Sequence, residues 1–260
     1  MFEKILIANR GEIACRVIVA LIALVAADDR ASAESSRVPF VGCPGDGQQG
    51  PISAPASPHT VRVELGENVS QRLAFYRAQF SPGVLAPRGW QCAGLMGSSG
   101  SFLLVAPHLP PLKDFVTAYH NLPGPAVIAE ENFGGTSGRF AVAEVLARIF
   151  PTWRAFVRSV ETNDYGGTFH PVFRPYPADI LTRKSDRIVE FATPASSDGL
   201  GTDWWLRKGQ MPVRGVLIIE GDGQDITLAT VRVRLPDQLA DLTGPIVSRF
   251  ERSLKDRSDE

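Results

Sequence analysis

The sequence predicts an α+β fold, a mixed or antiparallel sheet built from hairpins with three to four packed helices in a single domain. Three observations carry this. Residues 213–219 and 226–233 are apolar runs closed by Glu220-Gly221-Asp222-Gly223-Gln224-Asp225, the strongest hairpin signal in the chain. Residues 137–150 repeat apolar side chains at helical spacing. Hairpins and helices are segregated rather than strictly alternating, which argues against a doubly wound α/β sheet.

The elements follow in order. Residues 36–59 carry Pro39, Pro44, Pro51, Pro55 and Pro58 among many glycines, which forbids a continuous helix and favours extended or turn geometry. Residues 60–65 alternate apolar and polar side chains, a half-buried strand. Residues 69–80 place Val69, Leu73, Phe75, Tyr76 and Phe80 near helical spacing, with Ser70 as a cap, and Pro82-Gly83 ends the element. Residues 90–96 and 102–106 read as a strand pair around Gly97-Ser98-Ser99-Gly100.

In the helix over 137–150, Phe140, Ala141, Val145, Leu146 and Ile149 form the apolar stripe, with Arg139, Glu144 and Arg148 outward. Pro151 starts a second helix to about residue 160, with Trp153, Phe156, Val157 and Val160 inward. Residues 163–167 form a turn, and residues 180–193 two short strands around Ser185-Asp186. The last helix covers 246–254, with Thr243 as cap and Pro245 in its first turn.

The 260 residues carry a formal net charge of −1, with 44% hydrophobic and 21% charged side chains, enough for a sizeable core and no basis for nucleic-acid binding. No apolar run reaches the roughly 20 residues that span a bilayer. Three compositional segments emerge: a signal-peptide-like leader over 1–33, a Pro/Gly-rich extended arm over 34–59, and a single globular α+β domain over 60–260. In the leader, Lys4, Arg10 and Arg16 precede the uncharged run 17–27, followed by the small-residue sites Val25-Ala26-Ala27 and Ala31-Ser32-Ala33. That order matches a secretory signal, in which a short apolar helix enters the translocon and small side chains fit the peptidase. The alternative is a buried strand and first helix of a cytoplasmic α/β domain.

Removing that leader removes Cys15 and leaves Cys43 and Cys92, a pairable number in an oxidising compartment. The expectation is a Cys43–Cys92 disulfide; the alternative is two buried unpaired thiols. Export to the periplasm or exterior follows from the leader and the cysteine count together.

Two resemblances add to this reading. Residues 1–17, MFEKILIANRGEIACRV, resemble the N-terminus of biotin carboxylases, where the segment is a buried strand over 4–8 and a glycine-containing turn that opens a helix. The likeness ends at Val17, with no Gly-rich ATP-binding loop or paired metal carboxylates beyond it, so it places no catalytic residue. It raises the reading of a carboxylase fragment or fusion product. Residues 38–254 resemble uncharacterised exported bacterial proteins through VPFVGCPGDGQ, GVLAPRGWQC with the following GSSGS, DGLGTDWWLRKGQMPVRGVLIIEG and VRLPDQLADLT. That resemblance implies export and architecture but no mechanism, cofactor or metal.

Candidate chemistry is sparse. Ser98 and Ser99 lie in a glycine-flanked turn that departs from the GxSxG elbow, so a hairpin turn is the economical reading. A serine hydrolase would draw on Ser99 or Ser98 with His120 or His170 and Asp164 from distant positions. Gly134-Gly135-Thr136-Ser137-Gly138 precedes a helix, where capping by Thr136 or Ser137 competes with anion binding. Glu130-Glu131 could include a general acid, but reads more economically as a pair of solvated carboxylates on an exposed turn. Glu220, Asp222 and Asp225 lack the EF-hand pattern, and the four histidines have no metal-binding spacing. Trp204-Trp205 should point to opposite sides of an extended segment, one toward the core and one outward, where it would contact an envelope or glycan ligand. The leading expectation is an exported non-catalytic protein that binds an envelope component.

Overall fold

A computed structural model describes residues 35–47, 50–56, 59–109, 121–164, 166–202 and 205–258. The leader, His120 and Trp204 lie outside the described residues.

The first described strand is β1 (Ser35–Gly42), whose first half pairs antiparallel with β4 (Thr60–Glu64) and whose second half pairs parallel with β5 (Leu73–Arg77). With β6 (Val84–Pro87) these make a four-stranded sheet, β4-β1-β5-β6. After β1 the chain crosses to the edge of a second sheet as β2 (Gly45–Gly47) and β3 (Gly50–Ile52). Thus residues of the Pro/Gly-rich segment contribute strands to both sheets.

The second sheet has nine strands. Its antiparallel centre contains β7 (Gln91–Gly97), β8 (Gly100–Ala106), β9 (Ala126–Phe133), β10 (Ile180–Arg183), β11 (Ile188–Thr193), β12 (Val213–Glu220) and β13 (Thr227–Arg234). The order is β10-β11-β12-β13-β9-β8-β7-β2-β3, and β2 runs parallel to β7. The α+β class is confirmed, with mixed sheets. Among the described residues, the sheet is larger and the packed helical layer smaller than expected.

Both faces of this sheet are covered, which explains why β8, β9 and β12 are nearly continuous apolar runs. Phe102, Leu104, Ile128, Leu217 and Leu228 face one core, completed by α2 (Arg139–Ile149) and α3 (Arg154–Thr162). Leu103, Val105, Val127, Val216 and Val231 face the other, completed by the small sheet and α4 (Thr243–Ser258). Ile246, Val247, Phe250 and Leu254 are the buried stripe of α4. The Cys43–Cys92 disulfide, with Cα atoms 5.4 Å apart, fastens the β1–β2 crossing to β7. Cys43 N–H donates to Arg77 O at 2.9 Å and Gly94 N–H to Pro44 O at 2.9 Å, so the crossing is bonded to both sheets.

Three local expectations are corrected. The helix expected over 69–80 is one turn, α1 (Glu67–Ser70), followed by the strand β5. Leu73, Phe75 and Tyr76 fit either element, and hydrogen bonding to β1 on one side and β6 on the other selects the strand. In α2 the buried face is Val142, Ala143, Leu146 and Ile149, while Ala141 is exposed. The helix is rotated because the large sheet lies beneath that face. Thr243 is itself helical (φ −59°, ψ −50°), because a 3-10 turn over Asp237–Leu242 leads straight into α4.

Candidate functional site

The site is built on β13 and β9. Along β13, Val231 and Val233 enter one core, so Thr230, Arg232 and Arg234 project to the opposite face. All three are buried. A buried guanidinium must find acceptors for its donors. Arg232 donates through Nη1 to Glu130 Oε2 at 2.8 Å and through Nε to Leu200 O at 3.0 Å. The two side chains of this ion pair are 8% and 15% exposed.

Arg234 has backbone carbonyls for partners. It donates to Gly124 O at 2.8 Å, to Arg207 O at 2.7 Å and to Leu122 O. Burial, with a smaller contribution from the charge of Arg207, lowers its pKa to about 10, so it is a cation at neutral pH. The segments it ties together also bond each other: Leu122 N–H donates to Trp205 O at 2.8 Å and Arg207 N–H to Leu122 O at 3.3 Å. Trp205 is held there stacked on Phe102 of β8, with ring centroids 4.0 Å apart and planes inclined by 28°.

Two adjoining cavities, of about 470 and 550 Å³, share Glu130, Asn132 and Trp205. The first extends past Phe102 and Ser99 to Asp46. The second extends past Thr230 and Arg232 to Arg148 and Tyr176. Arg148 lies 4.2 Å over the Tyr176 ring and donates to Arg174 O at 3.3 Å. The result is a groove with an aromatic wall and a floor of hydrogen-bonding groups. Such a surface suits a ligand that has both apolar faces and polar edges.

Of the residues singled out in the sequence, Trp205, Ser99, Glu130 and Glu131 line this groove. Ser99 sits in the two-residue turn between β7 and β8, with Gly97 paired to Gly100. Its carbonyl accepts from Phe133 N–H at 3.0 Å, and Ser98 Oγ lies 3.0 Å from Ser137 Oγ. The turn therefore packs on the loop before α2. A Cβ on Gly138 would come within 2.0 Å of Ser99 O, so only glycine allows this approach.

Asp164 accepts from the N–H groups of Gly166, Thr168 and Phe169 at 3.2, 2.7 and 2.7 Å. These bonds, Phe169 foremost, hold its carboxyl below the usual range. His170 follows on the same exposed segment. Among the described residues, no hydrogen bond joins Ser99, Asp164 and His170.

Other readings change with the fold. Glu130 and Glu131 lie on β9, not on an exposed turn, and point to opposite faces. Glu130 meets Arg232, while Glu131 is buried and accepts from Ser101 Oγ at 3.3 Å. Thr136 does not cap α2. Its hydroxyl donates to Phe133 O at 2.9 Å and accepts from Gly138 N–H at 3.2 Å, closing the preceding turn. Asp222 of the β12–β13 loop pairs with Arg187 at 2.5 Å. Among the described residues, no group of three His, Cys, Asp or Glu side chains is placed to hold a metal ion. None of the described helices is long and apolar enough to cross a membrane.

Arg232, Arg234, Asn132 and Arg148 were missed in the sequence. The available signal was the Val-Arg-Val-Arg alternation of residues 231–234, which reads equally well as an ordinary half-exposed strand. No family model, curated protein or solved structure matches the chain.

Proposed function

We propose that this protein is exported and works outside the cytoplasm, in the bacterial periplasm or exterior, as a non-catalytic binding protein for an envelope saccharide. The observation that carries the ligand assignment is Trp205, stacked on Phe102 beside the Glu130–Arg232 pair where the two cavities meet. A sugar ring offers an apolar face to an indole and hydroxyl edges to carboxylate, guanidinium and amide groups. Export is supported by the charged, apolar and small-residue order of residues 1–33 and by the pairing of Cys43 with Cys92.

Two measurements test this reading. Calorimetric titration with soluble muramidase-released glycan fragments should give saturable binding, weakened about tenfold or more in Trp205→Ala. Absence of binding by the oxidised wild-type protein would remove the saccharide assignment. Intact mass of protein recovered from the producing cell should show loss of the leader and, before reduction, two hydrogens fewer than the dithiol form. A full-length chain inside the cytoplasm would remove the export assignment.

A second reading, a serine hydrolase using Ser99, is favoured by the place of Ser99 in the groove. It requires a base, and the carboxylate of Asp164 is already engaged by its own turn. Turnover of an ester or glycosidic substrate that disappears in Ser99→Ala would replace binding with catalysis. The carboxylase-fragment reading rests on residues 1–17 alone and would require ATP binding by the purified chain.

A further inference from the structure

We infer that the outer layer formed by α2, α3 and residues 169–187 docks the protein onto an anionic phospholipid surface. Six arginines of this layer lie over aromatic rings. Arg154 and Arg158, one turn apart on α3, lie 5.4 and 4.7 Å from the Phe173 ring centroid. Arg148 lies over Tyr176, Arg183 over Phe150, Arg187 over Trp153 and Arg139 over Phe140. A ring face restrains a guanidinium without using its in-plane N–H donors; those of Arg139, Arg148, Arg158, Arg183 and Arg187 bond within the protein, whereas Arg154 is exposed with its donors turned to solvent, the geometry that suits phosphate oxygens.

Local carboxylates do not neutralise the whole layer. Glu144, Glu161 and Asp222 pair with Arg148, Arg158 and Arg187. Arg154 and Arg174 are exposed, and among the described residues no carboxylate pairs with either. Apolar surface lies among these charges. Val172, beside Phe173, is one of three large hydrophobic side chains that are exposed among the described residues, and Trp153 is only partly covered. Cations interleaved with exposed aliphatic and indole surface match the boundary between headgroups and acyl chains. A free phosphate or a nucleic-acid backbone would satisfy the cations but give the apolar groups no partner.

The test is co-sedimentation of the purified, oxidised protein with vesicles of phosphatidylglycerol and phosphatidylcholine, against vesicles of phosphatidylcholine alone. Binding should require phosphatidylglycerol and weaken as salt rises. Arg154→Gln and Arg174→Gln should each lower partitioning roughly fivefold, and together roughly 25-fold. Arg214→Gln removes an exposed arginine from β12, on the side of the sheet that faces α4, and should leave partitioning unchanged. Trp205→Ala should also leave it unchanged, because Trp205 lies outside this layer, although Arg148 and Tyr176 border both. Equal binding to both vesicle types, wild-type partitioning by the double variant, or stronger arginine-dependent binding to duplex DNA than to the vesicles would each overturn the inference.

Discussion

Arg232 of β13 bonds Glu130 of β9 diagonally, two residues away from the strand register that sets Arg232 opposite Ile128. The offset brings the guanidinium against the Leu200 carbonyl as well, so one side chain joins two strands and the segment that covers them.

Breaking this pair should be costly, because the partner left behind is a buried charge. Glu130→Ala or Arg232→Met should each destabilise the fold by about 3–5 kcal/mol, and the double variant Glu130→Leu/Arg232→Met should recover much of the loss. Urea unfolding of the three variants gives the coupling directly. Additive losses would show that the pair contributes little as a pair.

Arg234 is a positioning residue for Trp205. Arg234→Met takes their side-chain donor from the carbonyls of Gly124 and Arg207, leaves Leu122 O with only the Arg207 N–H, and should cost about 2–4 kcal/mol in total while freeing the segment that carries the indole. The near-ultraviolet circular dichroism of the stacked Trp205–Phe102 pair should be lost, as in Trp205→Ala. Retention of that signal in a folded Arg234→Met protein would show that Trp205 is held by other means.

Reduction should weaken the whole molecule rather than the groove alone. The Cys43–Cys92 bond spans 49 residues of sequence, and in the chain-entropy model a loop of this length is worth roughly 4 kcal/mol. Cys43→Ser/Cys92→Ser should lower the urea midpoint accordingly, and dithiothreitol should do the same to wild type but not to the variant.

Lys184 gives an alkaline signature. Its ammonium lies 2.6 Å from Glu190 and 2.7 Å from Glu251, and hydrogen bonding to Glu190 and then Glu251 raises its pKa above the ordinary lysine value of 10.5. A raised folded-state pKa means a contribution complete below the unfolded value and lost as pH climbs through the folded one. The stability difference between wild type and Lys184→Gln should therefore be constant from pH 7 to 9 and shrink above about pH 10.5. A difference that grew with alkali would contradict this arrangement.

The hairpins β7–β8 and β12–β13 were legible because their turn residues are local signals: Gly97-Ser98-Ser99-Gly100 and the Gly/Asp run 220–225. The helices after Gly138 were legible from periodicity, though the buried face of α2 was not, since the sheet that selects it is distant in sequence. Residues 73–77 were misread for a related reason. β1, which supplies one of their hydrogen-bonding partners, lies more than 30 residues upstream. At the site, the aromatic doublet marked Trp205, whereas two arginines in an alternating strand carry no mark of burial. They are buried because residues 121–124, 200–202 and 205–207 fold over them and offer carbonyl oxygens. That is tertiary information with no local trace in Val231-Arg232-Val233-Arg234.

The placement of β1 sets a boundary for N-terminal trimming. Ser35–Pro39 is the hydrogen-bonding partner of β4, and the next three residues are the partner of β5, so among the described residues the ladder runs from Ser35 onward. A peptidase acting after Ala27 would leave seven residues ahead of that ladder, and one acting after Ala33 would leave a single residue. Any exopeptidase that removed residues from Ser35 onward would unzip β4 from its neighbour, so a trimming site after Ala33 would leave a single residue as margin and one after Ala27 seven.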